Sequence, residues 1–562
     1  MNFELPATGT ELSPAFLNAI ACQDWLVTVP LANAVQAQAM FLRQLNLLHR
    51  FTLPPTVRFA ILEALRGPIS DVQEDASKKF AAKPLPFSPP EQAALESTLS
   101  VWHMLALGYL RCFDALCADD GGFTSMPALT AHHTRCAGNK DTATRTAVLA
   151  QRTLSVFADW QVDLCRGEQL PDADYWKKLH QIFVAAEALG IAARAVNDPV
   201  RHGSAQTSAL AAYAECNLLS TASPYELPAR HLAWVARWAR RWGAKISLLE
   251  APPEDIRNRA VPLWVDLASD RPATYVPQQS SGGRWLETTE LRKSLLARIA
   301  LLEQGRAPAE LQLGGDVTQP AAGQLLQRVL QRWCAGGAPR RHERHAARGA
   351  CSLVVGFEAA HCQLYGRQAF RAPSRDDSTL RREREEFETF GGRRHSSEAA
   401  DTHDESRVEN WQVMDDWYLL NESAAGLRIG RPLRSGVRIG AGLLVAVKVE
   451  GSQRFALASV RWALRGAKDS LVAGIQMFPG EPRPAAIRIV DPGEKAAAWQ
   501  QGFLLPEIPA LREPASLVLP AGTFKLDRSV EIMIDQQAQV VKLFRILDHG
   551  VEFERCNMHA RE

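Results

Sequence analysis

The sequence predicts a multidomain α+β chain: an N-terminal all-α region of helical hairpins, then a small antiparallel β-barrel, then a C-terminal β extension. Three observations carry this. Apolar residues recur every three or four positions over much of residues 1–335, the period of a half-buried helix. From Trp411 the period falls to two and turn residues punctuate short runs, as in strands. Between these regimes the chain is dense in Arg, Glu, Asp and Ser and nearly free of aliphatics. At 562 residues the chain also exceeds one core, since a domain takes about 150 residues.

In the helical region the period is clear in residues 34–48, 91–116, 144–162 and 174–189. Pro and Gly clusters separate the helices, as in Lys83-Pro84-Leu85-Pro86. The stretch from Tyr175 to Leu189 reads as one helix closed by Gly190, and it loosely resembles the first helix of a tetratricopeptide repeat. Without a 34-residue period the region is TPR-like hairpins, not a regular solenoid. A break falls near residues 250–285, where Ala260–Leu267 suggests a short strand that Pro262 confines to an edge. Trp234, Trp238 and Trp242 recur every four residues, a core stripe, with Arg237, Arg240 and Arg241 as its solvated face.

Residues 336–350 form an Arg-rich linker, and the barrel is expected over 351–485. Its strands are read at 351–356, 411–420, 426–429, 443–449, 455–464 and 472–478, with Arg434-Ser435-Gly436 and Gly451-Ser452 among the turns. The insertion at 371–409 cannot bury enough apolar surface to repay ordering and is expected to be disordered. Apolar runs at 516–519, 530–534 and 540–546 place the β extension over 486–562.

Composition narrows the function classes. A formal net charge of +2 gives no global field for nucleic acid. No apolar run reaches the roughly 20 residues of a spanning helix, and Met1–Phe16 lacks the form of a secretory signal, so no membrane insertion is expected. The ten cysteines are scattered without a C-x-x-C pair, which suits reduced thiols and a cytoplasmic chain. His132, His133 and Cys136 lack zinc spacing, so no metal is expected. There is no G-x-S-x-G elbow, H-E-x-x-H or Walker spacing, hence no catalytic residues and no enzyme reading.

One constellation remains. Asn421-Glu422-Ser423-Ala424-Ala425-Gly426 is an N-x-S-x-x-G element between two strands. Upstream, Arg340, Arg341, Arg344 and Arg348 crowd the linker before the first barrel strand, giving R-x-x-x-R as Arg340/Arg344 or as Arg344/Arg348. Arginine offers a permanent planar fork for phosphate or a guanine edge and can stack on a purine. Asn421 can donate and accept at a base edge, Ser423 brings a hydroxyl, and Gly426 allows close backbone approach or positive φ. With Val460-Arg461-Trp462 and the Gly474-to-Phe478 stretch, residues 339–480 resemble the PilZ family. The helical region also looks like that of large proteobacterial PilZ-containing proteins.

The resemblance implies a cyclic di-GMP ligand, bound as a signal and not as a catalytic cofactor, at Arg340, Arg341, Arg344, Arg348, Asn421, Ser423 and Gly426. It implies an effector in motility, pilus or biofilm control whose helical region meets a protein partner. The alternative is a PilZ-like scaffold that binds no nucleotide and acts as a protein-interaction adaptor.

Overall fold

A computed structural model describes residues 4–5, 7–9, 12–116, 122–253, 259–280, 282–337, 343–373, 413–467, 469–491 and 497–560. It divides into two units. One takes Met1–Lys83 and Phe87–Arg340; the other takes Pro84–Pro86 and Arg341–Glu562.

The first unit is helical. Its helices are α1 (Ala19–Leu26), α2 (Ala34–Arg50), α3 (Pro55–Ser77), α4 (Pro89–Asp114), α5 (Met126–Gly138), α6 (Lys140–Arg166), α7 (Ala173–Ala188), α8 (Pro199–His202), α9 (Ala209–Thr221), α10 (Ala229–Trp242), α11 (Thr289–Glu303) and α12 (Ala321–Cys334). Local chemistry sets the boundaries. Ser88 and Glu91 form a capping box at the start of α4. Asp172 caps α7, which closes before Gly190 at φ +68°.

Two small sheets interrupt the helices. One is the hairpin β1 (Val196–Asn197) with β2 (Gln206–Thr207). The other has the order β3 (Ser247–Leu249), β5 (Gly283–Glu287), β4 (Leu263–Asp266), so the strand after Pro262 is indeed an edge. One apolar core runs through the unit and takes in Trp234, Trp238, Trp242 and Trp333.

The second unit holds two barrels. The first comprises β6 (His345–Ala346), β7 (Ala350–Val355), β8 (Met414–Ser423), β9 (Gly426–Pro432), β10 (Leu444–Val449), β11 (Ala456–Gly466) and β12 (Ser470–Met477). Pairing runs β7-β8-β9-β12-β11-β10 and returns from β10 to β7, closing a ring of six strands. β6 also pairs with β8, so the chain expected as a loose linker prolongs the line of β7. Helix α13 (Phe357–Leu364) follows β7, and nothing in the sequence reading foresaw it. The proposed disordered insertion at 371–409 lies almost wholly outside the described residues.

The tail differs from expectation in one respect. The β extension is itself a closed barrel, in the order β13 (Arg483–Ile489), β14 (Gln500–Leu505), β15 (Ser516–Pro520), β18 (Phe553–Ala560), β17 (Gln537–His549), β16 (Ser529–Ile534). Closure leaves no sheet edge to cover. Leu517, Leu519, Ile532 and Leu543 fill its interior.

The two barrels share a core. Val354, Leu444, Ala446 and Leu457 from the first pack with Phe357 and Ala360 of α13 and with Phe503, Leu505, Val518 and Phe553 of the second. β10 is therefore buried on both faces, which explains its unbroken apolar run Leu444-Val445-Ala446-Val447.

Candidate functional site

The outer face of β8, β9, β12 and β11 carries the site. Two bulges decide which side chains reach it. In β8 the register slips between Leu419 and Asn421. Leu419 is buried, and an unbroken pleat would turn Asn421 inward beside it. The extra residue, Leu420, shifts the alternation and brings Asn421 out to a half-buried position. In β11 the register slips between Val460 and Trp462. Val460 and Ala463 are both buried although three apart, so the inserted Arg461 and Trp462 both turn outward.

The slips align one transverse row. Ala346 lies opposite Asn421, Asn421 opposite Arg428, Arg428 opposite Gly474, and Gly474 opposite Trp462. Paired residues of neighbouring strands point to the same face, so Asn421, Arg428 and Trp462 share the outer surface. The Arg428 guanidinium lies 6.0 Å from the Trp462 ring centroid. The indole covers Gly474, where a methyl group would meet ring atoms at 2.3 Å.

Ser423 and Gly426 close the β8–β9 turn. The Ser423 hydroxyl donates to the Gly426 carbonyl at 3.2 Å. At Gly426 a methyl would stand 2.6 Å from the Ile475 carbonyl oxygen, so glycine is required there for close approach, not for positive φ.

The arginines flank this row. Arg344 immediately precedes β6, whose His345 pairs with Glu422 and Ala346 with Asn421. Arg348 follows β6 at its other end, just before Gly349, whose carbonyl accepts from Leu419 at 2.9 Å. Both arginines are exposed. Arg340 and Arg341 lie outside the described residues. No hydrogen bond or ion pair engages Arg344, Arg348, Arg428 or the Asn421 amide among the described residues. Thus the Arg428 guanidinium stands beside the half-buried indole with its donors unused, the Asn421 amide stands one strand further along the row, and the Arg344 and Arg348 guanidinium groups stand at its β6 end.

Sequence reading missed two members of this site. Trp462 was noted only as a strand marker, and Arg428, two residues past Gly426, was not singled out. Its spacing from Gly426 was visible, but its alignment with Asn421 depends on the β8 bulge. Elsewhere, His132 donates or accepts at the Thr146 hydroxyl, 3.0 Å away, and no metal-binding cluster exists among the described residues.

Three family models match the chain. Residues 20–254 match the family model described as the N-terminal domain of the cyclic-di-GMP receptor FimW, residues 263–417 its middle PilZ domain, and residues 485–560 the FimW C-terminal beta-barrel domain. The middle match, to a PilZ domain, lies between the other two. A curated relative, the cyclic-di-GMP receptor FimW of Pseudomonas aeruginosa, is 22% identical over 548 residues, covering 90% of this chain and 85% of its own. The match to the PilZ model ends at 417, inside β8, ahead of Asn421, Ser423, Gly426, Arg428 and Trp462, which lie on the rest of the first barrel. The match at 485–560 agrees with the second barrel that closes the tail.

Proposed function

We propose that this chain is a receptor for cyclic di-GMP, and that it acts as an effector in pilus, motility or biofilm signalling. The observation that carries this is the transverse row on the PilZ barrel: Asn421, Arg428 and Trp462 side by side, with Arg344 and Arg348 along its edge. The ligand has two guanines and two phosphates. An indole gives a guanine a stacking surface, and the Asn421 amide and Arg428 guanidinium of the same row offer groups that can pair with a base edge. Arg344 and Arg348, with Arg340 and Arg341 ahead of them, supply fixed positive charge for the phosphates. Ser423 and Gly426 form the tight β8–β9 turn at the end of the row.

The naming of the Pseudomonas aeruginosa relative as a cyclic-di-GMP receptor supports the ligand assignment. The role is reception, not catalysis. We further propose that the chain works in the cytoplasm and that its helical region meets a protein partner. No described helix is long and apolar enough to cross a membrane.

Calorimetric titration of the full chain with cyclic di-GMP, alongside GTP and cyclic di-AMP, tests the proposal. Binding that is selective for cyclic di-GMP and weakened by Arg344→Ala, Ser423→Ala and Trp462→Ala is expected. No heat with cyclic di-GMP at about 100 μM, where a 1 μM ligand would saturate the site, sinks the receptor reading.

A further inference from the structure

We infer that the second barrel is a positioning element for the nucleotide platform: Asp548 and the β17–β18 turn hold the β11 bulge that presents Trp462. This rests on the reading of Trp462 as the stacking surface for cyclic di-GMP.

The bulge at Arg461 is the weak point of the platform. Without it Trp462 would follow the pleat inward and Ala463 outward. Bulges are held by what grips the extra residue, and here the grip comes from the second barrel. The Arg461 guanidinium reaches the Asp548 carboxylate on β17 at 3.3 Å. Asp548 itself follows a register slip in β17, between Ile546 and Asp548, so a bulge on each barrel supplies one half of the pair.

The backbone beside the bulge is tied to the same place. Val460 donates to the Leu443 carbonyl at 2.9 Å, and Gly442 donates to the Val460 carbonyl at 2.7 Å. The Gly442 carbonyl in turn accepts from Val551 in the β17–β18 turn at 2.8 Å. One residue further on, the Glu552 carboxylate accepts from the Leu444 N–H at 2.8 Å. Packing leaves no slack at this contact: a methyl on Gly550 would stand 2.1 Å from the Gly442 carbonyl oxygen. Side chain and backbone therefore converge on one short segment of β11 from one turn of the second barrel. Asp548 touches no part of the proposed ligand site; its action is through Arg461.

The test uses the full chain labelled with fluorotryptophan. Among 14 tryptophans, the Trp462 signal is the one lost in Trp462→Phe. In ligand-free protein, Asp548→Asn is expected to shift that signal, and the exchange Arg461→Asp with Asp548→Arg to return it toward the native position. The unfolding midpoint should move by no more than about 2 °C, because the pair is partly exposed. In calorimetry Asp548→Asn should weaken cyclic di-GMP about fivefold, and should weaken it no further once Trp462→Ala is in place.

A Trp462 signal unmoved by Asp548→Asn overturns the inference, as does an equal loss of affinity in the Trp462→Ala background. A native chain that binds no cyclic di-GMP sinks the receptor reading instead, and the fluorine signal then decides the positioning claim alone.

Discussion

Gly474 and Arg428 carry most of the information at the residue scale. Gly474 is the seat of the Trp462 indole, so Gly474→Ala would lift the ring by forcing a methyl into atoms now 2.3 Å from that point. Base stacking on an aromatic ring is worth about 1–3 kcal/mol, and Gly474→Ala should lose most of it in a cyclic di-GMP titration while far-ultraviolet circular dichroism stays native. Arg428→Ala removes an unpaired guanidinium beside both Asn421 and Trp462. It should cost about 1–3 kcal/mol of binding if Arg428 reads a guanine edge, and selectivity over cyclic di-AMP should fall with it. Equal losses for both dinucleotides would make Arg428 a phosphate contact. Gly426→Ala tests a different property. Its methyl would push against the Ile475 carbonyl and open the β9–β12 pairing, so lowered thermal stability is expected ahead of any ligand effect.

At the scale of elements, α13 and α10 show how burial changes the meaning of a polar residue. His361 on α13 is buried between the Phe503 ring and the Ala485 carbonyl, and burial lowers its pKa from the usual 6.5 to about 4, opposed by that carbonyl. The folded chain thus holds His361 neutral while the unfolded chain protonates it near its ordinary value. The sign follows: stability present above pH 6.5 is lost as pH falls toward 4. His49 in the helical unit, also lowered to about 4 by burial, acts in the same direction there. Urea midpoints at pH 7 and pH 5 should therefore differ more in the native chain than in His361→Leu. On α10 the three tryptophans are core, as their spacing predicts. The arginines between them do form the outer face, with Arg237 and Arg241 exposed, but each also has a partner. Arg237 grips Asp316, Arg240 joins Asp159 and Glu215, and Arg241 reaches Gln312. Their partners come from distant segments, which helical period cannot reveal.

For the molecule as a whole, the shared core of the two barrels makes them one folding unit. Ending the chain after Gly480 would strip Leu444, Leu457 and Phe478 of the Phe503, Val518 and Phe553 side chains they pack against. Large buried aromatic and aliphatic surface exposed at once destabilises and promotes association. The chain truncated after residue 480 should be insoluble or bind a hydrophobic dye, whereas the unit spanning 341–562 should unfold in a single transition. Two separated transitions in that unit would show that the barrels are independent.

The sequence by itself determined the order of the regions, the strands of the first barrel to within a few residues, and the helical period of the first 335 residues, because local periodicity reports which face is buried. It also singled out Asn421, Ser423 and Gly426, since spacing within a turn is local. It foresaw neither α13 nor the closure of the tail, and it read β6 as a loose linker. These depend on partners distant in the chain: β6 pairs with β8 across some 75 positions, and β13 with β16 and β14 to close the second ring. Tertiary structure alone decided that Asn421, Arg428 and Trp462 stand in one row. A bulge inverts the inward-outward parity of every residue after it, and the bulges at Leu420 and Arg461 leave no mark in the sequence, because a bulge depends on pairing and contacts with segments distant in the chain.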